Sequence, residues 1–127
     1  NNLKRNVSTS IYFLLEGAQI SKFHRLKSDE LWHFYDGGSV KVYVIDEKGK
    51  LKEILLGRKT EAGEVFQSVI KKNTWFAAEV INKRSFALIG CTVSPGFDFS
   101  DFELADRKYL LETFPKHKSL IKEFTKL

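Results

Sequence analysis

The chain has 127 residues, of which 43% are hydrophobic and 29% charged, and its formal net charge is +5. That length suits one compact domain and is short for two, and the composition is globular rather than disordered. No apolar run approaches the ~20 residues of a membrane span, the first residues lack a signal peptide's apolar stretch, and a lone cysteine, Cys91, leaves no internal disulfide and no cysteine-based zinc site.

In chain order, residues 8–94 read as strand after strand. Ser8–Leu15 is rich in β-formers and ends at Glu16-Gly17; Phe23–Leu26, Glu30–Tyr35 and Val40–Ile45 follow, parted by Lys27-Ser28-Asp29 and Asp36-Gly37-Gly38. The valines of Val40-Lys41-Val42-Tyr43-Val44 fall on one face, as a half-buried strand requires. Asp46–Lys50 is a hairpin turn into Leu51–Leu56, with Gly49 available for positive φ. A polar loop, Gly57–Gly63, leads to Val65–Ile70, and Trp75–Ile81 and Phe86–Val93 read as a further hairpin across Asn82–Ser85. About eight strands at ~8–12-residue spacing, with no helix-length segment between them, predict an antiparallel sandwich or barrel. After Pro95-Gly96 the period changes. Ala105–Phe114 and Pro115–Leu127 read as two helices, Pro115 opening the second and Leu120, Ile121, Phe124 and Leu127 forming its apolar stripe. Ser100-x-x-Glu103 fits a capping box that would start the first helix earlier. The fold class is mainly all-β with two C-terminal helices, in a single domain over residues 1–127.

Residues 105–127 hold six basic residues and three acidic ones, so the tail carries +3 of the +5. Its lysines belong to the wet face of an amphipathic helix, and no basic stripe interleaved with aromatics exists to read nucleic acid. The expected location is cytoplasmic, with neither a membrane nor a nucleic-acid partner. The chain contains no Met, which predicts a start that has been processed or shortened.

Two of the three histidines lie in Phe23–Gly38; His117 sits in the lysine-rich tail and reads as surface. Side chains alternate along a strand, so His24 shares a face with Leu26, and Glu30 shares one with Trp32 and Phe34, while His33 points the other way unless a bulge intervenes. If His24 and Glu30 both face inward, an imidazole and a carboxylate meet in a cavity walled by aromatics. Such a pair binds a polar ligand, moves protons or holds a metal. The bland alternative is a buried histidine satisfied by its neighbours.

His24-x-Leu26-x3-Glu30-x6-Gly37 resembles the first cupin motif, which reads His-x-His, Glu, Gly, and Lys71–Phe76 falls where the second motif would stand. Ser8–Ala105 as a whole is similar to the cupin-5 family, a domain of unknown function. The echoes are Ser8–Tyr12, His24-Arg25, Asp29–His33, Thr74-Trp75, Gly90–Phe99 and Asp101–Ala105. The resemblance implies a cupin double-stranded β-helix, or jelly roll, with a ligand pocket in the barrel, and a homodimer as partner state. It also implies an additional helix and a Pro-His-Pro-Glu-Gly-Gly-like segment before the first strand, so an N-terminal segment is expected to be missing here.

A metal-binding cupin supplies three His and one Glu. Here Leu26 and Phe76 stand at two of the His positions, and neither donates an electron pair to a cation. No cofactor is therefore expected. A divalent metal, if bound, would be held weakly by His24 and Glu30, with His33 or Gln67 joining only through a bulge.

Tyr12, whose face the sequence leaves open, is a candidate acid partner for a His24 base, as in cupin-fold sugar-nucleotide epimerases, and Trp32, Phe34, Trp75 and Phe76 either stack a ligand or fill the barrel. Arg25 suits an ion pair or a dimer contact, Cys91 a buried small hydrophobe. Asp98, Asp101 and Glu103 interleave with Phe97, Phe99 and Phe102, which suggests a segment pinned over the barrel by aromatics. The expected function is binding of a polar, carbohydrate-like small molecule without a tightly bound metal. The alternatives are an isomerase or epimerase using His24 and Glu30, or a weakly metallated oxygenase.

Overall fold

The computed structural model describes residues 4–126, so Leu127 of the expected apolar stripe lies outside the described residues. The described residues form nine strands: β1 (Thr9–Glu16), β2 (Ile20–Arg25), β3 (Asp29–Gly37), β4 (Val40–Ile45), β5 (Leu51–Leu56), β6 (Gln67–Ile70), β7 (Trp75–Val80), β8 (Phe86–Ser94) and β9 (Glu103–Leu104). Two helices follow, α1 (Arg107–Thr113) and α2 (Lys118–Glu123). One sheet runs β1-β8-β3-β6 and the other β5-β4-β7-β2-β9, antiparallel throughout.

The pairs nest: β1 with β8, β2 with β7, β3 with β6, β4 with β5. This is a jelly roll, one long hairpin rolled so that its two arms alternate between sheets. Its tip is a tight turn. Asp46 accepts from the amides of Lys48 and Lys50, and Gly49 takes φ 83°. The expected β7–β8 hairpin is absent, because β7 and β8 lie in different sheets and Asn82–Ser85 crosses between them. β2 and β3 likewise face one another across the sandwich rather than pairing side by side. At the β3 end, Gly37 has φ 94°, and a Cβ there would stand 2.1 Å from the Phe86 carbonyl oxygen, so only glycine fits.

The core between the sheets is built from alternate residues, including Val40, Val42, Val44, Leu56, Ile89 and Phe34. A second apolar layer covers the outer face of the five-stranded sheet, where Phe23, Ile45, Trp75 and Ala77 meet Leu110, Ile121 and Phe124 of the helical tail. β7 is therefore buried on both faces from Trp75 to Ala78, which explains the apolar run there. The Phe124 carbonyl accepts from the Phe23 amide at 2.8 Å, tying the tail to the barrel.

Some boundaries depart from sequence. β2 begins at Ile20 because Ile20 and Ser21 pair with Glu79 and Ala78. β6 starts at Gln67, Val65 making only an isolated parallel bridge to Leu56. The capping box does not form. Asp98, not Ser100, caps the short turn Phe99–Asp101 by accepting from the Ser100 amide at 2.8 Å, and Glu103–Leu104 extends as β9 against β2. The β2 edge needs hydrogen-bond partners more than the helix needs another turn. Pro115 opens a 3-10 turn, Pro115–His117, and α2 begins at Lys118. His117 is half-buried rather than free on the surface, its Nε2 lying 2.8 Å from the Gly49 carbonyl oxygen.

Candidate functional site

A cavity of about 670 Å³ opens between the two sheets, and both His24 and Glu30 line it. They come from opposite walls, His24 from β2 and Glu30 from β3. A one-residue bulge between Ser21 and His24 sets the aim of β2. Phe23 turns outward under the helices, while Ser21, Lys22 and His24 border the cavity.

The His24 ring packs against Phe76, centroids 4.1 Å apart, and is stacked with Phe102 at 5.3 Å and 28°. Nδ1 lies 2.7 Å from the Lys22 carbonyl oxygen. A carbonyl only accepts, so Nδ1 carries the hydrogen and Nε2 is the free acceptor of the neutral ring. Desolvation lowers the pKa of His24 and the Lys22 contact only partly offsets it, which keeps the ring uncharged near neutrality. Glu30 is held on the same principle with the sign reversed. Burial pushes its pKa up, against a smaller downward pull from Trp32 Nε1, which donates to Glu30 Oε1 at 2.9 Å. No hydrogen bond joins His24 to Glu30 among the described residues. Their remaining valences are open to a third party.

Cys91 borders the same cavity opposite Trp32 in register. Burial, with the charge of Glu30, pushes its thiol far up, so the sulfur is a protonated hydrophobe and no nucleophile.

The segment 97–104 closes one side as a strap, and Phe97, Phe99, Phe102 and Leu104 line the opening. The Phe97 amide donates to Thr9 Oγ1 at 2.8 Å, Asp101 pairs with Arg5, and Glu103 pairs with Arg25 at 2.7 Å. The Arg25 guanidinium also lies over the Trp75 ring at 4.3 Å. Its polar role is thus an ion pair.

Several expected site residues lie elsewhere. Tyr12 is 78% exposed on the outer face of β1, where its ring meets Tyr35 edge to face, so it cannot serve His24 as an acid partner. Trp75 is buried in the second apolar layer, on the far side of the five-stranded sheet. Phe34 is part of the packed core, and Phe76 supports the His24 ring from behind without lining the cavity. Of the four aromatics, only Trp32 lines it. His33 and Gln67 pair with one another on the outer side, with His33 stacked on Tyr35, so no bulge brings either to His24. Sequence reasoning missed Thr9, Ile11 and Phe13, the inner side of β1. Their alternation with Ser10, Tyr12 and Leu14 was the available signal, but apolar residues on both faces hid its sign.

The donor set decides how the site treats cations. By the resemblance to the cupin motifs, Leu26 and Phe76 stand where a metal-binding cupin has histidines, and among the described residues no three His, Cys, Asp or Glu side chains converge. Two ligands, one of them hydrogen-bonded to Trp32, do not fit a tightly held divalent metal. Among the described residues, no helix is long and apolar enough to cross a membrane.

A family model described as "Cupin superfamily (DUF985)" matches residues 1–105. A protein of Shewanella oneidensis is similar in structure at TM-score 0.92 and 40% identity, covering 96% of this chain and 77% of that one. A hypothetical protein from Leishmania major matches at TM-score 0.90 and 32% identity, covering 97% of this chain and 78% of that one. A dTDP sugar isomerase from Desulfovibrio desulfuricans shares the fold at TM-score 0.66 and 16% identity, covering 83% and 68% respectively. No curated protein matches the chain.

Proposed function

The chain belongs to the DUF985 family of the cupin superfamily, and from that premise we propose that it binds a small molecule between its sheets, docking a polar group of the ligand on His24 and Glu30 without a tightly bound metal. The observation that carries this reading is one cavity lined by a buried carboxyl, Glu30, and a half-buried imidazole, His24, with no hydrogen bond between them. A cavity of ~300–1,000 Å³, mostly apolar with a few convergent polar groups, is the usual form of a ligand site. The aromatic and aliphatic lining argues against a bare sugar, whose hydroxyls would face hydrocarbon unpaired. A metabolite library screened by thermal shift tests the proposal. A ligand that raises Tm in the parent is expected to lose that effect in the His24→Ala and Glu30→Gln variants. A library with no stabilising member, or stabilisation that survives in both variants, speaks against the reading.

A second reading, proton transfer at the same pair, is favoured by one specific observation. Burial lowers the pKa of His24 and raises that of Glu30, opposite shifts in one cavity that suit a base and an acid of general acid–base chemistry. It predicts solvent deuterium uptake into a sugar-nucleotide substrate by the parent protein and none by His24→Ala. Absence of uptake across a substrate panel with the parent removes it.

We also propose a homodimer, the second copy covering the outer face of the four-stranded sheet. Two adjacent ranks of that face, Tyr12-Gly90-His33-Gln67 and Ser10-Thr92-Leu31-Val69, carry no charged side chain. An uncharged patch is where two copies of a cationic chain meet with least repulsion.

A further inference from the structure

Floor and mouth of the cavity differ in chemistry. Glu30, Trp32, Leu26, Cys91 and Val93 are buried at the floor, and Glu30 and the His24 ring supply its hydrogen-bonding groups. The rim is hydrocarbon that the fold leaves in water: Phe99 is 83% exposed, Ile11 61%, Leu104 49% and Phe102 41%. Phe97 backs Phe99 edge to face at 5.0 Å and 79°. The acidic residues of the strap do not compete for the opening, since each is engaged locally: Asp98 by the Ser100 amide, Asp101 by Arg5, Glu103 by Arg25. Exposed apolar side chains gathered on one rim and continuous with a cavity mark a binding surface.

We infer that the ligand class is amphipathic: an uncharged hydroxyl or carbonyl head at His24 and Glu30, with a hydrocarbon body that runs out between Phe97, Phe99 and Phe102. This rests on the binding reading above and narrows it. An uncharged head suits the floor. An anionic head would meet the acceptor Nε2 and the Glu30 carboxyl, and the cation of the lining, Lys22, is an exposed residue. The body supplies affinity through the area it removes from water on the rim, and the head supplies orientation.

The probe is the straight-chain alcohol series from butanol to octanol, with glucose and octanoate for comparison. Binding is read by tryptophan fluorescence in a Trp75→Phe background, where Trp32 at the cavity floor is the sole tryptophan. Affinity is expected to climb about fourfold with each added methylene, octanol binding at least tenfold more tightly than glucose or octanoate. Phe99→Ser, at an exposed position that folding does not depend on, is expected to weaken octanol by roughly five- to tenfold. His24→Ala is expected to lower every alcohol by a common factor and leave the chain-length slope intact. Ile81→Ser, at an exposed apolar position away from the cavity, leaves all values unchanged. A flat response to chain length, or a Phe99→Ser variant that binds octanol as the parent does, overturns the inference. Tighter binding of glucose than of octanol overturns the ligand class while the binding reading stands. Loss of binding in Ile81→Ser alone places the alcohol outside the cavity and overturns the inference as well. If neither alcohols nor glucose bind, the amphipathic class is wrong, and the library screen decides the wider reading separately.

Discussion

His24 and Glu30 are displaced in opposite directions by the same cause, and each displacement has its own pH window. Desolvation lowers the His24 pKa below 6.5, so over the range just under that value the unfolded chain binds more protons than the native one. Stability is then lost as pH falls through the window. Burial raises the Glu30 pKa above 4.5, so between that value and its native one the folded state holds the extra proton, and stability falls as pH rises. Glu30→Gln keeps an acceptor for Trp32 Nε1 and cannot ionise. It is expected to be more stable than the parent at neutral pH, with the gap closing as pH falls through the raised native pKa of Glu30 and gone by about 4.5. Urea denaturation across the pH range checks this, and a gap independent of pH would contradict it. The pair was legible in sequence because His24 and Glu30 stand at cupin-motif spacing on strands with one inward face. Tyr12 was not, since Ile11, Tyr12, Phe13 and Leu14 are apolar or aromatic in succession and strand alternation there has a period but no sign.

Strap and tail are both short elements fixed by tertiary contact, yet they hold with very different strength. β9 has two residues, and its anchors are partly exposed: the Arg25–Glu103 pair has side chains 33% and 54% accessible. Such a pair contributes under about 1 kcal/mol. Glu103→Gln is therefore expected to leave global stability within about 0.5 kcal/mol. It should also speed hydrogen exchange at the Ala105 amide, which bonds the Phe23 carbonyl at 2.9 Å beside the strap. Exchange at Ala105 as slow as in the parent would show the strap to be held by its aromatics alone. The helical tail is the contrast. Phe124 is fully buried between Phe23 and Tyr43, and Phe124→Ala is expected to cost about 3–5 kcal/mol in denaturant unfolding. The amphipathic stripe that seats this tail was visible in sequence. The strand at Glu103–Leu104 was not, because two residues are too few to show a period and their extended form answers the open edge of β2.

For the molecule as a whole, the two sheets have unequal outer faces: helices cover one, and the other presents Tyr12, Leu14, Tyr35 and Val69 to solvent. The proposed homodimer predicts that Tyr12→Lys, which sets a charge at the centre of that face in each copy, halves the mass seen by sedimentation. A monomeric parent protein would refute it. The class of fold, the hairpin at Asp46–Lys50 and the tail's buried face follow from local pattern, since periodicity and turn chemistry act within a few residues, while the His24–Glu30 pair was read through the resemblance to the cupin motif. Which strands pair, and which side of an apolar strand faces the cavity, were settled by the roll of the whole chain. Asn82–Ser85 reads the same whether it closes a hairpin or crosses between sheets, and Trp75 and Phe76 are equally apolar, though one packs under the helices and the other behind His24. Those choices depend on what each face meets after folding, and that information lies in partners remote along the chain.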